Sequence, residues 1–375
     1  MPALLSDVDP DGLEEFSVVF TDRSLNHMSR AFQTVMRDIS DMLREVYNAD
    51  AVALVPGGGT CAMEAVARQF ATGKKAFVVR NGWFSYRWSQ IFDVGGFAGE
   101  VTVALARQAG NSPTSAFAPA PIGEVTEAIR KVRPDVVFAP HVETAAGMIL
   151  PDDYLKALAD AAHSVGALLV LDCIASGCVW VDMKATGVDV LISAPQKGWS
   201  ASPSTGLVMF STEATRRLEA TMSNSFALDL KKWRAIMAAY EAGGHAYHLT
   251  MPTDALRGFR DTMKETRDHG FERLREAQWK LGNGVREELA RRGIRSVAAE
   301  GFAAPGVVVS YTDDPDIQNG KKFAARGVQI AAGVPLQVGE GAEFRTFRLG
   351  LFGLDKLYDV DGTLARVRTA LDAAL

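Results

Sequence analysis

Asp172 closes the apolar run LLVLD, and Lys197 lies in SAPQKGW, 25 positions later (197 − 172). Each follows a strand-like apolar stretch, which places a carboxylate and an amine at the carboxyl edge of a sheet, where α/β proteins bind ligands. Lys197 follows Gln196 and precedes GWSASPSTG, a run of small residues that lets a cofactor approach closely. Upstream, Gly57-Gly58-Gly59-Thr60 opens a helix, so free N–H groups and a hydroxyl can hold a phosphate there. The tract lacks the Gly-Lys-Ser/Thr end of a P-loop, and its glycines do not fit the dinucleotide fingerprint. Taken singly, Asp172 reads as readily as a helix cap and Lys197 as a solvated loop residue.

The elements that must position these groups follow from hydrophobic periodicity. Residues 31–47 put Phe32, Val35, Met36, Ile39, Met42, Leu43 and Val46 on one helical face. Apolar runs at 51–56, 75–81, 135–141, 168–175, 188–195 and 206–211 read as strands, with helices between them at 121–132 and 151–166. Near-continuous apolar strands alternating with helices predict an α/β fold with a mostly parallel sheet covered on both faces. From about 255 the pattern changes. A long charged helical stretch covers 255–293, short strands follow at 306–312 and 346–352, and a helix closes the chain near 359–374. The expected organisation is an N-terminal segment (1–30), a large domain (31–255) and a smaller C-terminal α+β domain (256–375).

Composition narrows the function. The 375 residues are 47% hydrophobic and 23% charged, enough for a sizeable core. Forty basic residues against 45 acidic ones give a net charge of −5 with no basic patch, which argues against a nucleic-acid partner. Three cysteines, Cys61, Cys173 and Cys178, form no CxxC pair and point to a reducing cytoplasm. The acidic start MPALLSDVDPDGLEEF lacks the pattern of a signal peptide, and no apolar run is long enough to span a membrane. His245 and His248 are spaced i, i+3 without a third ligand nearby, so no metal is expected.

From about residue 30 onward the combined motifs resemble the class V, fold-type I pyridoxal-phosphate aminotransferases of the alanine–glyoxylate/serine–pyruvate kind. The resemblance implies that Lys197 forms the Schiff base with pyridoxal 5'-phosphate and that Asp172 pairs with its pyridine nitrogen. It places Gly58, Gly59, Thr60 and Gln196 around the phosphate, and Phe84 of NGWFSYR and Ile174 on the two ring faces. Thr144, in HVETAAGMILP, falls near the phenolic oxygen. Tyr247 and Thr250 of YHLT match a Tyr-x-x-Thr that reaches the neighbouring subunit's phosphate, implying a homodimer. Arg348 of FRLG is set to grip a substrate α-carboxylate. On residue type alone, Phe84 and Ile174 fit a core equally well, Tyr247 a turn and Arg348 a structural ion pair.

The activity so implied is ping-pong transfer of an amino group from a small amino acid to an oxo acid such as glyoxylate or pyruvate. A kynureninase-like lyase on the same scaffold is the alternative. A cysteine desulfurase would need a nucleophilic cysteine in the C-terminal half, and all three cysteines precede residue 179. A nicotinamide-dependent dehydrogenase lacks its glycine fingerprint. The chain departs from the family pattern at residues 16–29, where a Gly-Pro-rich entrance stretch is replaced by FSVVFTDRSLNHMS. Arg23 there is an extra cation, a candidate for favouring an acidic substrate or a plain surface residue.

Overall fold

A computed structural model describes residues 13–375. The first helix, α1 (Arg30–Tyr47), starts where the Ser29 side chain accepts from the Phe32 N–H and stops at Asn48 in the left-handed conformation. Six of the seven face residues anticipated from periodicity are buried; Val46 is only partly so, and Tyr47 is buried instead. Each fully buried apolar side chain of this size contributes roughly 1.5–3 kcal/mol.

Seven strands form the central sheet: β1 (Ala51–Pro56), β2 (Ala76–Arg80), β3 (Val101–Leu105), β4 (Val136–Pro140), β5 (Leu168–Asp172), β6 (Val190–Ser193) and β7 (Thr205–Phe210). Their spatial order is β1-β7-β6-β5-β4-β2-β3. Only β7 runs antiparallel, pairing with β1 on one side and β6 on the other. The sheet is therefore mostly parallel, as the unbroken apolar runs imply. Helices α2 (Gly59–Ala71), α3 (Trp83–Gly95), α4 (Ile122–Val132) and α5 (Asp152–Ser164) fill the crossovers. Two helices that periodicity did not single out, α6 (Thr212–Ala220) and α7 (Leu230–Glu241), follow β7.

The long charged stretch is two helices rather than one: α8 (Thr253–His269) and α9 (Phe271–Arg291) meet at Gly270, whose φ of 100° interrupts the helix. Helix α8 straddles position 255. Its Leu256, Phe259 and Met263 are buried in the same apolar cluster as the large sheet. Helix α9 instead packs Leu274, Leu281 and Val285 with Phe347, Leu349 and Leu371. There, β8 (Val307–Tyr311), β9 (Ala331–Ala332) and β10 (Thr346–Gly350) form an antiparallel sheet in the order β8-β10-β9, closed by α10 (Val360–Ala374). A third cluster, including Val142, Ala145, Val297 and Val309, joins the two layers directly beside the carboxyl ends of β4 and β5. No helix among the described residues is long and apolar enough to cross a membrane.

Candidate active site

The parallel strands point their carboxyl ends at one cavity of about 220 Å3. The turn after β1 contributes Gly59 and Thr60, the turn after β2 contributes Phe84 and Arg87, and the turn after β4 contributes Thr144. Asp172 and Ile174 follow β5, and Gln196 and Lys197 follow β6. Gly58 is the N-cap just behind Gly59. The cavity thus gathers from five strand ends the residues expected around a phosphate and a ring.

Each contributor has a local cause. Helix α2 has no side-chain cap, and its first backbone bond runs from the Ala62 N–H to the Gly58 carbonyl. The N–H groups of Gly59, Thr60 and Cys61 consequently lack an intrahelical acceptor and face the positive end of the helix dipole. A Cβ on Gly59 would overlap Ile174, so glycine is what lets the helix approach β5. A Cβ on Gly198 would strike the backbone carbonyl of Gly177, so glycine also fixes the path of the chain beside Lys197. The Oε1 of Gln196 is buried without a hydrogen-bond partner.

Burial sets the electrostatics. Asp172 is only 7% exposed; burial pushes its carboxyl up to about 7, and the nearby Glu143 adds to this. The Ile174 N–H donates to Asp172 Oδ1 at 2.9 Å and Arg87 lies close by, and both favour the charged form. Burial, followed by the Arg348 and Arg87 guanidinium groups, holds the Lys197 amine below its ordinary range. The Lys197 Nζ sits 5.1 Å from the centroid of the Phe352 ring. Arg348, on β10, donates from Nε to the Ala332 carbonyl at 2.8 Å and lies 5.5 Å from the centroid of Phe84.

Tyr247 and Thr250 are not among the residues lining this cavity. Their hydroxyls lie 2.9 Å apart in an exposed turn, where the Tyr247 ring packs on His27 of the N-terminal segment. His248 contacts the Phe226 carbonyl and His245 packs edge-on to His27, so neighbouring groups account for both histidines. Arg23 is exposed.

Two residues at or beside the cavity were missed in the sequence. Glu143 is fully buried and accepts from the N–H groups of Phe84, Ser85 and Ala145 and from the Ser85 hydroxyl, fixing the start of α3 and with it Phe84. An acid inside the apolar HVETAAG was its signal. Arg87, one turn beyond Phe84, stacks on that ring at 4.8 Å and donates to Thr60 Oγ1 at 3.1 Å.

A mostly parallel sheet whose carboxyl edge assembles a depressed lysine, a buried aspartate and an uncapped helix N-terminus defines a fold-type I pyridoxal-phosphate protein. The solved alanine–glyoxylate aminotransferase of Nostoc superposes with a TM-score of 0.76 at 22% identity, over 93% of this chain and 89% of that one. Among curated proteins, the alanine–glyoxylate aminotransferase of Felis catus is 27% identical over 66% of this chain, a match spanning 58% of the cat enzyme. The L-aspartate–glyoxylate aminotransferase of Paracoccus denitrificans is 25% identical over 87% of this chain and 81% of that protein. The class-V aminotransferase family model matches residues 15–333, and the chain belongs to that family. Its cofactor is pyridoxal phosphate, and the residues present fit it. Uncapped N–H groups and a hydroxyl suit a phosphate, while a buried carboxyl suits a protonated ring nitrogen.

Proposed function

We propose that the protein is an aminotransferase moving the amino group of a small amino acid (alanine, serine or aspartate) to an oxo acid such as glyoxylate or pyruvate, in two half-reactions at one site. The observation that carries this reading is the convergence of Lys197, Asp172 and Thr60 on a single cavity, with Arg348 beside it. Alanine, aspartate and glyoxylate are supported by the activities for which the relatives are named.

Pyridoxal phosphate, when bound, serves as electron sink and as carrier of the amino group between the two half-reactions. Lys197 is the residue that would hold it covalently, and its Nζ is free again once a donor is bound. The freed Nζ, kept below its ordinary range by burial and two guanidinium groups, then takes the proton from the donor Cα as general base. Arg348 binds the donor's α-carboxylate and thereby fixes which Cα bond faces the amine. Asp172 balances the charge of a protonated ring nitrogen; a cation placed there returns its carboxyl to the ionised form. Phe84 and Ile174 would hold the ring, Thr144 its phenolic oxygen, and Gly58, Gly59, Thr60 and Gln196 the phosphate.

Tyr247 and Thr250, exposed in their own chain, are assigned to the cofactor phosphate of a second subunit in a homodimer. Three free cysteines support a cytoplasmic enzyme. Product analysis with and without an oxo-acid acceptor tests the reaction type. The reading requires that amine loss from the donor stop after one equivalent unless glyoxylate or pyruvate is supplied. Continuous, acceptor-independent product release would instead indicate a lyase.

A further inference from the structure

The groups that the start of α2 itself offers a phosphate, its free N–H groups and the Thr60 hydroxyl, are neutral, as is the neighbouring Gln196 amide. A phosphate monoester carries about −1.5 to −2 at pH 7. The GGGT tract brings no lysine of its own, unlike a P-loop, so helix dipole and hydrogen bonds leave most of that charge without a cation.

Arg87 stands where such a cation is needed. From the second turn of α3 its guanidinium folds back over the Phe84 ring at 4.8 Å, and NH1 donates to Thr60 Oγ1 at 3.1 Å. It forms no ion pair with a carboxylate among the described residues. Arg348 approaches the same ring from β10, tethered to the Ala332 carbonyl, at the opposite end of the chain. The two guanidinium groups thus differ in anchorage: one is bound to the threonine at the helix N-terminus and the other to the small sheet.

We propose that Arg87 is a cofactor-binding residue that supplies the positive charge of the phosphate cradle, leaving Arg348 to the substrate carboxylate. The proposal rests on the pyridoxal-phosphate reading above. Thr60 then serves two partners, accepting from Arg87 and donating its own proton to a phosphate oxygen. The planar guanidinium can hold both the threonine and the phosphate at once, which a lysine in its place would do less well. Its charge also bears on the chemistry, since it favours the ionised form of Asp172 and the neutral form of Lys197.

The test compares two ligands that differ only in the phosphate. The full chain, freed of cofactor, is titrated with pyridoxal phosphate and separately with pyridoxal, following absorbance. Arg87→Gln should raise the Kd for pyridoxal phosphate at least tenfold, about 1.4 kcal/mol, and change the Kd for pyridoxal, which feels Arg87 only through Asp172, Lys197 and Phe84, by a clearly smaller factor. Arg87→Lys should fall between the two. Equal weakening for both ligands would overturn the assignment, as would an unchanged Kd for pyridoxal phosphate accompanied by weaker donor binding. Circular dichroism checks folding, and if Arg87→Gln does not fold, the same two-ligand contrast on Arg87→Lys decides. Failure of the unsubstituted protein to bind either ligand is a distinct result, which would remove the cofactor reading itself.

Discussion

The buried carboxylate of Glu143 receives both the backbone N–H of Ser85, at 2.9 Å, and its hydroxyl, at 2.7 Å, across 58 residues of sequence. This pair ties the turn after β4 to the first turn of α3, so Thr144 and Phe84 reach the cavity as one unit. Gly82 belongs to the same arrangement, because a Cβ there would press on the Glu143 side chain.

Glu143→Ala leaves at least three buried donors without an acceptor. Bonds to a charged group contribute about 1.5–3 kcal/mol each and are not additive. A loss of roughly 3 kcal/mol in chemical denaturation, with a parallel drop in cofactor affinity, is the expected outcome. Full cofactor affinity in a destabilised variant would separate Glu143 from the site.

Gly198→Ala probes the chain path beside Lys197. The added methyl meets the backbone of Gly177, which no rotamer change can relieve. Overpacking of this kind costs about 1–3 kcal/mol. The larger effect should be on turnover, since relief of the clash must displace Lys197. A variant with unchanged kcat would show that the loop tolerates the shift.

Asp172 gives a pH dependence of unusual sign. Its folded value of about 7 lies above the ordinary carboxylate value of 3.8, so the folded chain holds a proton that the unfolded chain has lost. Stability of the cofactor-free protein therefore falls as pH rises from about 4 to about 7. Asp172→Asn should flatten this part of the stability–pH curve relative to the parent. An identical curve for both proteins would remove the burial argument.

The assignment of Tyr247 and Thr250 to a second subunit predicts complementation. Lys197→Ala and Tyr247→Ala chains, each nearly inactive alone, should regain measurable activity when unfolded and refolded together, because one site in the mixed dimer receives both native residues. No recovery, with mixed dimers confirmed by mass, would return Tyr247 to a local role.

The strand ends were legible in the sequence because a parallel sheet leaves long apolar runs, and the residue after each run is where ligands bind. Lys197, Asp172 and Thr60 could be read this way. Strand β3 could not, since VTVAL lies at the sheet edge and its residues are only partly buried. The break at Gly270 was hidden by charged residues that suit a helix on either side, although the His-Gly pair marks it. Helices α6 and α7 carry capping side chains at Ser211 and Asp229, signals that periodicity alone passes over. Glu143 and Arg87 act through partners 58 and 27 residues away, and such pairings appear only once the strand order is known.

Covalent attachment of the cofactor at Lys197 is the claim on which the reading depends, and borohydride reduction followed by peptide mapping tests it most directly. The expected result is a stable pyridoxyl mark on the peptide containing Lys197, absent from Lys197→Ala, which should also lose transamination. A mark on another lysine, or a Lys197→Ala protein that still turns over at the parent rate, would contradict it.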